Sequence, residues 1–253
     1  MYKIERQEKI LDYINEKSRV SVIELSEVFQ VSKVTIRADI DELAINGLVN
    51  KTHGGAVSKN IGISSEIPYE IKNQSNIKQK RKIAKVALRY ITKNDVIILD
   101  SGSTTFQLIE GLPDGITVIT TDILVAVEII KSKKDIQLIM PGGEVQKSVY
   151  TLEGIDTIHF LENLHADKVF LSCDALDFEF GVSDRSRLSS ATKQAMIEAS
   201  SKVILLADSS KYPVKLSSKV CSLNCLDILI TDRIKMGMRE KCQDVGIEVL
   251  ETD

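Results

Sequence analysis

Val96-Ile97-Ile98-Leu99-Asp100-Ser101-Gly102-Ser103-Thr104-Thr105 is the stretch from which the architecture of this chain can be read. Four apolar residues, three of them β-branched, predict a buried strand closed by Asp100. Ser101 to Thr105 then form a small, hydroxyl-rich turn. Phe106, Leu108 and Ile109 supply an apolar face beyond it, so the turn opens a helix. Such a turn leaves backbone N–H groups free at a helix start and adds hydroxyl donors, which suits a phosphate ester. On spacing alone an ordinary βα loop with a Ser/Thr cap explains the stretch equally well.

The surroundings repeat the pattern. Strands are expected near 96–99, 116–120, 136–140, 168–172, 203–207, 227–231 and 247–250. Helical periodicity occupies 104–111, 122–132, 153–162, 188–200 and 235–243. Strand–helix alternation implies a mainly parallel α/β sheet covered on both faces, with ligands beyond the carboxyl ends of its strands. Those ends read Asp100 to Thr105, Thr120-Thr121-Asp122, Pro141-Gly142-Gly143-Glu144 and Ala207-Asp208-Ser209-Ser210-Lys211. Gly102, Ser103, Thr104 and Thr105 are the candidates to hold a phosphate, with Ser101 at the head of the turn. Lys211, and Lys193 or Lys80, would neutralise it. Asp100 and Asp208 would accept from sugar hydroxyls, and Gly142 and Gly143 would allow close backbone approach. A solvated ion pair at Asp208 and Lys211, and a plain turn at Gly142-Gly143, are the ordinary alternatives.

Upstream, Ile77, Ile83, Ala84, Ala87, Leu88 and Ile91 form the stripe of a further helix, set among Lys78, Lys80, Arg81, Lys82 and Lys85. Cations are poorly placed at a helix start. A phosphorylated ligand would offset that, with Lys72 and Lys80 as its contacts. Residues 58–75 are the linker, of which 58–70 carry Gly, Ser and Pro without a sustained period.

The first part, residues 1–57, has another character. Ile10, Leu11 and Ile14 mark one helix, and Val22, Leu25, Val28 and Phe29 a second. Ser18 to Ser21 reads as the loop between them. After Gln30-Val31-Ser32, with Ser32 as cap, Ile36, Ile40 and Leu43 mark a third helix, and Gly47 ends it. The short link between the second and third makes a helix-turn-helix. Its third helix would enter the major groove. Lys33 and Arg37 lie one turn apart away from the apolar face, and Thr35 could reach a phosphate. Arg37 could pair with a guanine edge or hold a phosphate. The β-prone runs around Gly54-Gly55 make a hairpin wing, with Lys51 and His53 as contacts. A dimerisation module is the competing reading. Residues 1–60 hold nine Lys/Arg and nine Asp/Glu, without the basic excess of a DNA-binding domain. The acidic residues crowd the first two helices, however, and none lies from Lys33 to Arg37.

Composition narrows the classes. With 253 residues the chain is long enough for two domains at roughly 150 residues each. Its 43% hydrophobic and 27% charged content is that of a globular protein. The net charge of −3 gives no general pull on nucleic acid. No run approaches the roughly 18 apolar residues of a membrane span. The charged start, Met-Tyr-Lys-Ile-Glu-Arg, lacks a signal core. Cys173, Cys221, Cys225 and Cys242 form no Cys-x-x-Cys pair and read as reduced thiols of a cytoplasmic protein. His53, His159 and His165 have no ligand spacing, so no metal is expected, and no nucleotide-cofactor motif occurs.

Val31-Ser32-x-x-Thr35-Ile36-Arg37-x-Asp39-Ile40-x-x-Leu43-x-x-x-Gly47-x-Val49, closing with His53-Gly54-Gly55-Ala56, resembles the DNA-binding domain of DeoR-type bacterial repressors. Leu99 to Thr105, Pro141-Gly142-Gly143, Gly154, Gly181, Lys193-x-x-Met196-Ile197 and Leu206 to Lys211 resemble their sensor domain. The resemblance covers nearly the whole chain. It implies a winged helix-turn-helix followed by an α/β domain (residues 76–253) similar to ribose-5-phosphate isomerase. It also implies a phosphorylated-sugar effector, operator DNA as partner and a homo-oligomer. The chain departs from the family at Ala38, where a second arginine is usual, at Asp122, often asparagine, and at Asp174, in a segment that tends to be glycine. The expected function is a repressor of a sugar-utilisation operon. The alternative is a sugar-phosphate isomerase with an assembly domain, using Asp100, Glu144 and Asp208 as acid/base groups.

Overall fold

A computed structural model describes residues 3–46, 48–58 and 69–252. Gly47 and 59–68 of the linker lie outside the described residues. The chain divides into two compact units, Met1–Ile67 and Pro68–Asp253.

In the first unit, helices α1 (Lys3–Lys17), α2 (Val22–Phe29) and α3 (Lys33–Ile45) enclose Ile10, Leu11, Ile14, Leu25, Ile36, Ile40 and Leu43, all buried. Ser21 and Glu24 form a reciprocal capping box that starts α2, and Gln30 ends it in the left-handed conformation. Strands β2 (Val49–Thr52) and β3 (Gly55–Ser58) form the wing hairpin, turning at His53-Gly54. Arg19–Ser21, expected as a loop, is a strand, β1, that pairs antiparallel with β3. Three residues are too few to carry a readable alternation; the partner strand decides their conformation.

The second unit begins with α4 (Tyr69–Gln74) and α5 (Ile77–Ala87), so the end of the expected linker is helical. The sheet strands are β4 (Val96–Leu99), β5 (Ile116–Thr120), β6 (Ile136–Ile139), β9 (Lys168–Leu171), β12 (Val203–Leu206), β14 (Ile228–Thr231) and β15 (Glu248–Glu251). They form one parallel sheet in the order β15-β14-β12-β9-β4-β5-β6. Helices α6 (Ile123–Ser132), α7 (Ile155–Glu162), α8 (Arg187–Glu198) and α9 (Met236–Asp244) cover it. Successive residues face opposite cores. Ile97, Leu99, Phe170, Ile204 and Leu206 join α5 and α6 on one side. Ile98, Val169, Leu171 and Leu205 join α7, α8 and α9 on the other. Burial on both faces is why these strands read as unbroken apolar runs.

Three features depart from expectation. Residues Thr105–Gly111 form a 3-10 helix, not an α-helix; Gly111 and Pro113 leave no room for a longer ladder. Strands β7 (Glu144–Gln146) and β8 (Thr151–Glu153) form a hairpin after the Gly142-Gly143 turn. A small antiparallel sheet, β10 (Ala175–Asp177), β11 (Gly181–Asp184) and β13 (Ser218–Cys221), stands apart from the main one.

Candidate nucleic-acid interface and anion site

Ser32 caps α3 by accepting from the Thr35 amide at 3.1 Å, and the two hydroxyls lie 2.8 Å apart. Thr35 therefore serves the helix start first, instead of standing open towards a phosphate. Lys33 and Arg37 are exposed along the same helix, with Val34 between them 73% exposed. Asp39 points the other way. It is buried and held bidentate by Arg6, with Nε and Nη2 donating at 2.6 and 3.1 Å. Glu42 is likewise turned to α1, where Lys3 and Gln7 meet it. Asp39 and Glu42 of α3 thus face α1, and no carboxylate lies from Lys33 to Arg37. Lys51 on the wing pairs with Asp41, both half-exposed. A surface pair of this kind is worth about 0–1 kcal/mol. His53 is exposed at the hairpin turn.

In the second unit the ends of β4 and β9 meet around the 101–105 loop. Gly102 is required there because a Cβ would lie 2.7 Å from the Ser172 side chain. Ser172 Oγ in turn lies 2.5 Å from Ser101 O and 2.8 Å from Asp100 Oδ2. Thr105 is fully buried, its Oγ1 2.7 Å from Asp100 O and 2.8 Å from Gly102 O. Its hydroxyl holds the loop in shape and is not spare for a ligand. Ser103 and Thr104 differ. Among the described residues no acceptor lies within hydrogen-bond range of their hydroxyls or amides.

Asp100 and Lys193 are also committed elsewhere. Lys193 Nζ lies 3.0 Å from Asp100, 2.9 Å from Asp184 and 2.8 Å from Ser172 O. Three acceptors use its three protons. Asp100 also accepts from the Ser172 amide at 2.8 Å. Burial pushes Asp100 above the usual carboxylate range, with Lys193 opposing. Burial acts downward on Lys193, but Asp100, Asp184 and Asp174 outweigh it and hold the ammonium charged. The pair forms an internal frame on which the loop rests.

Asp208 keeps the geometry of a ligand group. Its Oδ1 accepts from the Ser210 amide (3.0 Å), the Ser210 hydroxyl (2.5 Å) and Asn76 Nδ2 (3.0 Å). Its Oδ2 is buried without a hydrogen bond. Asp174, at the end of β9, pairs with Lys72 at 2.7 Å and Arg185 at 3.9 Å. Burial works upward on it, but Lys72, Arg185 and Lys211 together hold it below the usual range. Lys80 is buried and donates to Lys72 O. The expected lysines 72, 80 and 211 are thus gathered at this end of the sheet. Gly142 and Gly143 have a local reason. A Cβ on Gly143 would meet Thr157 Oγ1 at 2.2 Å and Glu153 O at 2.7 Å, and Thr157 donates to Gly142 O. Their approach is to α7 and β8.

Ser172, Asp184, Arg185 and Asn76 were not anticipated. Ser172 was findable, since it ends the expected 168–172 strand. Asp184 sits on a strand without a periodic signal, and Asn76 looks like an ordinary cap.

Asp122 starts α6, its Oδ1 accepting from the Leu124 and Val125 amides at 2.8 and 3.1 Å. Burial raises its pKa to about 6, against those two bonds and the Ser101 hydroxyl. A carboxyl raised above its unfolded value supports the fold below pH ~4, and that support is lost as pH rises through about 6. Asp122→Asn keeps the cap without the buried charge. We expect it to be about 1–3 kcal/mol more stable than the parent at pH 8 and level with it near pH 4. Urea denaturation at the two pH values checks this; a gain at pH 4 as large as at pH 8 would contradict it.

Among the described residues no helix is long and apolar enough to cross a membrane, and no metal-binding group of His, Cys, Asp and Glu is present. The four cysteines are free thiols.

Residues 6–61 match the DeoR-like helix-turn-helix domain and residues 75–233 the DeoR C terminal sensor domain. The chain is 37% identical to the uncharacterized HTH-type transcriptional regulator YulB of Bacillus subtilis, over 90% of this chain and 88% of that protein. It is 31% identical to the L-fucose operon activator of Haemophilus influenzae, over 96% and 97%. A partial likeness to ribose 5-phosphate isomerase A of Methanocaldococcus jannaschii has a TM-score of 0.39 at 19% identity, over 54% and 55%; it transfers no chemistry. The curated relatives carry the names of transcriptional regulators, not of enzymes, and the isomerase alternative falls with them.

Proposed function

The chain belongs to the DeoR family of transcriptional regulators, and from that premise we propose that it is a cytoplasmic repressor of a sugar-utilisation operon whose operator affinity falls when a phosphorylated sugar binds the second unit. Residues 1–57 are the DNA-binding domain and 76–253 the sensing domain. The observation that carries the effector reading is the 101–105 loop. The amides and hydroxyls of Ser103 and Thr104 meet no protein acceptor among the described residues, while Asp208 offers a buried, unbonded oxygen at a strand end two places along the sheet. Phosphate oxygens would take the loop donors, with Lys72, Lys80 and Lys211 supplying positive charge. Sugar hydroxyls would donate to Asp208 Oδ2. Lys33 and Arg37 would enter the major groove, and Lys51 and His53 would meet the backbone beside it. A homo-oligomer would place two such helices on two half-sites, and effector binding would alter their spacing. Coupling of this kind amounts to about 1–3 kcal/mol. The relative named for an L-fucose operon supports a sugar operon as the target class.

The test is fluorescence anisotropy of the full chain on the DNA upstream of its own gene, at two salt concentrations, with free and phosphorylated sugars. Specific binding weakened by one phosphate ester and not by its free sugar is the expected result. No DNA binding at either salt, or ester binding that leaves operator affinity unchanged, sinks the reading. In the same assay Arg37→Ala should lose about 1–3 kcal/mol of operator binding. Unchanged affinity would remove Arg37 from the interface.

A further inference from the structure

The segment from Tyr69 to Asn76 is fastened to the loops that form the proposed effector site. The Tyr69 amide donates to Ser148 O at 3.1 Å, and its ring meets Phe106 edge-on with centroids 5.9 Å apart. Lys72 pairs with Asp174. Gln107, which donates to Ser103 O at 3.2 Å, also reaches Asn73 Oδ1 at 3.5 Å. At the end of the segment stands Asn76.

Asn76 occupies the cap position of α5 but does not cap it. Its backbone is left-handed (φ 52°), and its side chain bonds no amide of the helix. A capping Asn in extended conformation is worth about 1 kcal/mol to a helix. Here the amide instead reaches Asp208 Oδ1 at 3.0 Å and Ser210 Oγ at 3.1 Å. The side chain is thus aimed away from its own helix and onto the β12 loop. Every hydrogen bond of the Asp208 carboxylate falls on Oδ1, and the buried Oδ2 has none. A buried carboxylate oxygen without a donor is costly unless a donor arrives.

We infer that Asn76 is a positioning residue: it holds Oδ1 of Asp208 so that Oδ2 faces the effector, and through it occupancy of the site is felt by the segment that leads from the DNA-binding domain. The inference rests on the proposed effector reading and adds the path of regulation. A sugar hydroxyl that donates to Oδ2 draws the carboxylate towards the ligand and weakens the Asn76 bond. The 69–76 segment is then released from the β12 loop, and the chain leading to the DNA-binding domain with it.

The experiment uses the full chain, the DNA upstream of its own gene, and inorganic phosphate, ribose 5-phosphate, glucose 6-phosphate, fructose 6-phosphate and glycerol 3-phosphate as probes. Asn76→Gly keeps the left-handed backbone and removes the amide. Asn76→Asp keeps the shape and sets a carboxylate, with no donor, against Asp208. Both are expected to stay folded by calorimetry and, without ester, to bind operator at least about fivefold more weakly than the parent, because the bond that the ester would weaken is already gone. At saturating ester, where weaker ester binding no longer counts, the parent should lose at least about fivefold in operator affinity. Both variants should lose about twofold or less. Coupling in Asn76→Gly equal to the parent's overturns the inference. So does operator affinity equal to the parent's in that variant without ester, because loss of the Asn76–Asp208 bond would then not be felt at the DNA-binding domain. If no probe alters operator binding by the parent, the effector reading itself fails and takes this inference with it.

Discussion

Lys193→Met is expected to destabilise the second unit by about 3–5 kcal/mol. The lysine is buried with Asp100 and Asp184, and all three of its protons are used. Methionine fills a similar volume, so the change isolates the charge. It leaves two carboxylates in the interior, where the desolvation of an unpaired charge outweighs most other single-residue effects. The pH dependence identifies the cause. Asp100 already lies above its usual range through burial. Without Lys193 Asp100 rises further above its unfolded value. The variant's stability is then fully present below the unfolded carboxylate pKa of about 4 and lost as pH rises through the folded value. Urea denaturation should show a deficit against the parent that shrinks from pH 8 to pH 4. A deficit independent of pH would trace the effect to packing and not to charge. The 101–105 loop rests on Asp100 and Ser172, so loss of the lysine should also weaken any anion bound there.

Arg6→Met should unfold the first unit while the second stays folded. Asp39 is 1% exposed, and Arg6 is its bidentate partner. Removing that partner costs about 3–5 kcal/mol. A unit of fewer than 70 residues has a net stability of only about 5 kcal/mol. Operator binding would be lost, although Arg6 lies against Asp39 and not on the exposed face of α3. The double variant Arg6→Met/Asp39→Leu separates fold from contact. Replacing both members of a buried pair by apolar groups is often near neutral, so most of the stability and the DNA binding should return. Calorimetry should show the low transition missing in the single variant and restored in the double. Equal behaviour of the two would mean that Asp39 is not the reason.

The two variants also mark the limits of reading by sequence. Arg6 and Asp39 lie 33 positions apart, and nothing local pairs them. In sequence Asp39 is one more acid among nine, and that count argued against a DNA-binding role. The structure weakens that argument, because Asp39 and Glu42 of α3 are turned to α1. Asp100 and Lys193, 93 positions apart by their numbering, were separately credible as ligand groups. Only their approach to 3.0 Å shows that each is the other's partner.

Seven sheet strands and the helices between them were legible because burial on both faces writes unbroken apolar runs into the chain, and because caps such as Ser32 and Asp122 act on their immediate neighbours. Local periodicity and strand-end chemistry therefore determined the order of elements, the helix-turn-helix, and the end of the sheet at which Ser101 to Thr105, Asp208 and Lys211 gather. Tertiary structure alone decided which of those groups remain open to a ligand. A hydrogen bond or ion pair occupies its donors and acceptors whatever the sequence distance between them. Thr105, Asp100 and Lys193 are taken up by the frame, Gly143 by α7, and Asn76 by a loop more than a hundred residues away. Such pairings leave no periodic trace in a sequence, because they are settled by where whole elements pack.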